Sequence, residues 1–175
     1  MKNILMIMLA MLIGFSVYSQ SEGKKGNHLP SIDLKTAEGE PFNTANISND
    51  GKPIILSFWA LWCKPCIKEL NTIADEYYDW QEETGVKLIA VSIDDSRSSS
   101  KVKPFADGND WEYEILLDVN GDFKRAMNVN MIPHTFILDG DGNVVWQHTS
   151  FSEGGELQVI NTVRKIIAGE EIDAH

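Results

Sequence analysis

The pentapeptide Trp62-Cys63-Lys64-Pro65-Cys66 stands where one hydrophobic periodicity gives way to another. Before it, Pro53 to Trp59 (PIILSFW) is an unbroken apolar run rich in β-branched and aromatic residues, the composition of a strand buried on both faces. After it, Ile67, Leu70, Ile73, Ala74, Tyr77 and Tyr78 recur at helical spacing until Gly85 supplies a stop, which predicts a helix over 66–83. A core strand that turns directly into a long helix implies a sheet with helices stacked on it.

The junction also has a chemistry. Cys63 falls at or just before the helix N-terminus, where unpaired N–H groups and the helix dipole favour negative charge, so its thiol should ionise more readily than a free cysteine. The thiolate is the form that attacks disulfides. Cys66, one turn further in, is expected to be more buried and placed to resolve a mixed disulfide by attacking the Cys63 sulfur. Pro65 suits the first helical turn, where a missing N–H costs nothing. Lys64 favours the thiolate if it turns toward the pair and is otherwise a solvated, screened charge.

Other uses of two cysteines fit less well. A bridge between Cys63 and Cys66 closes too short a loop to remove much entropy from the unfolded chain, so it is a weak staple. Zinc needs two further ligands, and the 4 histidines show no paired spacing. Covalent haem needs a histidine directly after the second cysteine, where Ile67 stands. No cofactor or metal is therefore expected. The carboxylates of Asp107 to Asp110 and Asp139 to Asp141 lack the spacing of a calcium loop and read as turns.

Along the chain, Leu29 to Leu34 and Pro41-Phe42 flank Glu38-Gly39-Glu40 and suggest a small N-terminal hairpin. Val86 to Ile93 reads as a second buried strand. A polar stretch from Asp94 to Lys101 leads to a helix ending near Asp107, and Trp111 to Leu117 is a third strand candidate. A short helix over 120–128 precedes a hairpin of Thr135 to Leu138 and Val144 to His148, turned by Asp139-Gly140-Asp141-Gly142. A closing helix over 157–168 sets Leu157, Ile160, Val163 and Ile167 on one face. The alternation predicts an α/β fold, a central mixed sheet flanked by helices, over 28–170, with 171–175 a tail.

Lys2 precedes an apolar run from Ile4 to Val17 that ends in Val17-Tyr18-Ser19, so 1–19 reads as a signal peptide or, uncleaved, a membrane tether. A polar leader over 20–27 follows. Nucleic acid is a poor partner for a chain of net charge -11 without a basic cluster. A monomer is expected.

The run Phe58 to Cys66 (FWALWCKPC) resembles the active site of the thioredoxin superfamily, and Met131 to Asp139 (MIPHTFILD) is similar to a second segment of that family. The resemblance implies a cis bond at Ile132-Pro133 facing the dithiol, with the Ile132 backbone pairing with a substrate chain and Trp62 on the docking surface. The TlpA/ResA-like branch is the nearest likeness, on three features: the export signal, the N-terminal hairpin before Gly51-Lys52-Pro53, and an extra helix and strand between Ser98 and Leu117. Ser57 stands where classical thioredoxins carry a buried Asp; Glu69 matches a Glu of the ResA-like proteins and is the candidate acceptor for the Cys66 proton, provided burial raises its pKa. The periodicity alone leaves Glu69 on a flank of the helix, as a surface residue.

The implied activity is thiol-disulfide exchange in the periplasm or outside the cell. The direction the resemblance implies is reductive, toward protein disulfides such as those of apocytochrome c, with a membrane thiol-disulfide donor; oxidation of targets is the alternative. Peroxiredoxins share the architecture but carry Thr or Ser and Pro at the positions of Ala60 and Leu56. His134 is read as an ordinary hydrogen-bonded side chain, and His148, at the far end of a hairpin, has still less claim on the chemistry.

Overall fold

The computed structural model describes residues 28–172; the expected signal peptide and leader, and the end of the tail, lie outside them. The elements are β1 (Asp33–Thr36), β2 (Pro41–Asn43), β3 (Ile54–Trp59), α1 (Lys64–Thr84), β4 (Lys87–Ser92), α2 (Val102–Asp107), β5 (Glu114–Leu117), α3 (Asp122–Ala126), β6 (His134–Leu138), β7 (Val144–Thr149) and α4 (Gly155–Ala168). One seven-stranded sheet runs β2-β1-β5-β4-β3-β6-β7. Its centre, β3, β4 and β5, is parallel, and β6, β7 and the β1–β2 hairpin add antiparallel edges. The extra helix and strand thus place β5 between β4 and β1. No helix among the described residues is long and apolar enough to cross a membrane.

Successive strand residues point to opposite faces, which divides the core in two. Ile55, Trp59, Leu88, Ala90 and Ile137 pack with Leu70, Ile73 and Tyr77 of α1 and Val159, Ile160 and Val163 of α4. Ile54, Leu56, Phe58, Ile89, Phe136 and Leu138 pack with Phe123 of α3 on the other face. β3 is buried along its whole length, as its unbroken apolar run required. Helix α1 starts two residues earlier than the periodicity indicates and ends at Gly85, whose left-handed φ of 65° lets its N–H reach the Gln81 carbonyl.

The structure shifts two helix faces. Tyr78 is exposed, and Trp80 takes the next buried place on α1. On α4 the outer positions Leu157 and Ile167 face solvent, and the core stripe is Val159, Ile160 and Val163. Trp111 and Tyr113 precede β5 rather than belonging to it, yet both side chains are buried, with Trp111 packed edge-on against Trp59.

Candidate active site

Cys63 caps α1 with extended backbone angles, and its Sγ accepts the Cys66 N–H at 3.3 Å. The two cysteines form a disulfide with Cα atoms 5.3 Å apart. Cys66 is fully buried, Cys63 nearly so, and Lys64 and Pro65 lie on the surface. An N–H aimed at Sγ from the first turn of a helix stabilises a sulfur anion once the bond is reduced. Trp59 is buried, whereas Trp62 is 68% exposed beside the pair in sequence.

Asp94, which sequence reasoning did not single out, secures the approach to this turn. It is buried just beyond β4, accepts the Leu61 N–H at 2.9 Å and the Ser92 hydroxyl at 2.9 Å, and takes the Ser98 hydroxyl at 3.1 Å. The only sequence cue was an acid next to a strand end, a pattern shared with ordinary turns.

Glu69 is 1% exposed, so the flank position read from the periodicity is corrected. The buried stripe of α1 is wider than its apolar residues mark, and Glu69 sits inside it with Cys66, Leu70 and Ile73. Its Oε1 accepts the Thr135 hydroxyl at 3.0 Å, and the Thr135 oxygen is 3.3 Å from Ser57 Oγ. Glu69 Oε2 is buried without a hydrogen-bond partner among the described residues. Burial pushes the Glu69 carboxyl up to about 7; the Thr135 hydrogen bond opposes the rise and the Glu156 charge adds to it. A carboxyl that titrates near neutrality can both take up and return a proton.

The row beneath Glu69 comes from strand register. Ser57 pairs with Thr135, and Thr135 with His148, so the three lie side by side across β3, β6 and β7. His148 Nε2 is 3.7 Å from Glu69 Oε1. His134 belongs to the opposite face: it stacks on Phe136 with ring centroids 4.3 Å apart and bonds Gln147 through Nε2 at 3.0 Å. The ranking of the two histidines read from sequence is therefore reversed with respect to Glu69.

Ile132-Pro133 is cis. It leads into β6, whose first residue, His134, pairs with Phe58 near the end of β3, so this bond lies at the end of the sheet from which the dithiol turn departs. Ile132 is partly buried against both cores, and Met131 before it is 58% exposed.

A cysteine pair at the start of a helix, carried on a mixed sheet next to a cis-proline strand, defines a thiol-disulfide oxidoreductase of thioredoxin-like fold. The chain belongs to the AhpC/TSA family, whose model matches residues 25–147. It is 29% identical over 147 residues to the thiol-disulfide oxidoreductase ResA of Bacillus cereus, covering 81% of this chain and 82% of that one. It is 32% identical over 144 residues to the sporulation thiol-disulfide oxidoreductase A of Bacillus subtilis, covering 81% and 84%. The solution structure of a thioredoxin-like protein from Porphyromonas gingivalis superposes with a TM-score of 0.74 at 54% identity, covering 86% of this chain and 99% of that one.

Proposed function

We propose that the chain is a protein-disulfide reductase of the cell envelope. Cys63, as thiolate, attacks a target disulfide and forms a mixed disulfide. Cys66 gives its proton to Glu69, attacks Cys63 and releases the target as a thiol, and a membrane thiol-disulfide donor then reduces the new disulfide. Apocytochrome c thiols are one target class that the resemblance to ResA-like proteins implies. Trp62 and the Ile132-Pro133 backbone are the docking elements in this reading. Lys2 and the apolar run after it support export, with or without a retained tether.

The observation that carries the reductive direction is Glu69, buried one helical turn after Cys66. Residues three apart on a helix are neighbours, about 5–6 Å between Cβ atoms. In its ionised form, Glu69 places negative charge in so dry a site that it opposes ionisation of the reduced pair and makes that pair the better electron donor. The peroxide reading finds no support at the two positions it needs, because Ala60 and Leu56 are buried and apolar.

Reduction of a disulfide-bonded protein, with dithiothreitol as electron source, tests the scheme. The wild type should accelerate it and Cys63→Ser should be inactive. Cys66→Ser should accumulate a mixed disulfide through Cys63 that non-reducing gels and mass spectrometry reveal. Trapping through Cys66 in Cys63→Ser, with none through Cys63, would reverse the assigned roles.

A further inference from the structure

His148 stands next to Glu69 because of an irregularity in β7. Pairing of Ile137 with Trp146 and of Leu138 with Val144 leaves Val145 as a bulge residue. Val144 therefore packs with the α3-side core, while Trp146, and with it His148 two residues on, turns to the face of α1 and α4. The His148 ring stands edge-on to Trp146 with centroids 5.1 Å apart, and its side chain is 16% exposed at the wall of a cavity of about 960 Å³.

Charged and titratable groups reach this pair from several elements. α1 contributes Cys66 and Glu69, α4 contributes Glu156, whose charge acts on Glu69, and the segment leading into β5 contributes Tyr113, on which the Glu69 charge acts. β6 supplies the Thr135 hydroxyl and β3 that of Ser57. His134 and Gln147 share the cavity wall with His148. Burial and Glu156 both favour the neutral acid, so at neutral pH a carboxylate needed as a base is held back. Among the described residues, the basic side chain within ion-pair distance of Glu69 is His148.

We propose that His148 is a positioning residue for disulfide exchange: it stands within ion-pair distance of the buried Glu69, and its cation keeps that carboxylate ionised and ready for the Cys66 proton. The proposal rests on Glu69 as the base. In the step it serves, the Cys66 Sγ–H bond breaks and the proton moves to a Glu69 carboxylate oxygen. The freed sulfur electron pair forms the Cys63–Cys66 bond. The Cys63–target bond breaks, and its electron pair leaves on the target sulfur, which takes a proton from water. The dithiol is oxidised by two electrons and the target disulfide reduced by two.

The test is the pH dependence of target release from the Cys63 mixed disulfide, measured by rapid mixing with the full chain in wild type, His148→Gln and His148→Phe. The rising limb, which reports ionisation of Glu69, should move to higher pH by about one unit in both variants, about tenfold slower release on the limb. The plateau at high pH should be shared. The ¹³C titration of the Glu69 carboxyl in the oxidised proteins should move in the same direction. An unmoved limb and titration, or slowing by one factor at every pH, overturns the proposal. Glu69→Gln separates the two readings: if it keeps the wild-type limb, Glu69 is not the base and the proposal falls with it. If Glu69→Gln loses the limb while the His148 variants keep it, the proposal alone fails.

Discussion

Glu69 is an acid placed where water does not reach, so its ionisation is tied to folding as well as to sulfur chemistry. Its carboxyl titrates at about 7 in the folded chain against an ordinary 4.5. Below about 4.5 it is protonated in folded and unfolded chains alike, and its contribution is fully present. As pH rises toward 7 the unfolded chain loses the proton first, and stability falls by roughly 3 kcal/mol from this group. Glu69→Gln should remove that part of the slope. Urea unfolding of the oxidised proteins at pH 5 and pH 8 should show wild type losing more stability than the variant, and equal losses would contradict the assignment. The cysteine pair was legible from sequence because its chemistry depends on one turn of chain. The burial of Glu69 was not, since it depends on packing of α1 over the sheet, where Thr135 of β6 bonds it and Ser57 of β3 lies against Thr135.

At the scale of elements, the order of strands and helices could be read from periodicity, and the errors sit where two elements meet. His148 shows why. Regular alternation from Val144 puts residues 144, 146 and 148 on one face, and the bulge at Val145 moves the last two to the other. A bulge leaves little trace in the identity of a valine. Tyr78 and Leu157 were misplaced for a related reason, because a helix face is settled by what packs on it and an apolar residue at its margin is as readily exposed. The β6–β7 turn carries a stricter constraint. A Cβ at Gly140 would lie 2.1 Å from the Gly51 carbonyl oxygen, a backbone atom fixed in the turn before β3. Gly140→Ala should therefore push the two turns apart and cost about 1–3 kcal/mol, read as a lowered thermal midpoint. An unchanged midpoint would mean that the two turns are not held together.

For the whole molecule, the sheet order brings its working parts to one end. β3 ends there and hands over to the dithiol and α1, and β6 begins there after Ile132-Pro133. Trp62 and Met131 carry exposed apolar surface on the two segments that flank this end in the chain. The fold class was legible because a CxxC between a core strand and a long helix admits few architectures; the end-to-end assembly needed the antiparallel register of β3 and β6. The central claim is that this assembly donates electrons, and the reduction potential of the Cys63/Cys66 pair tests it most directly. The full chain would be equilibrated in defined thiol buffers, and the trapped thiols quantified by mass. A potential near that of thioredoxin, about -270 mV, is the predicted result, and one near about -120 mV would mean a disulfide donor and contradict the account.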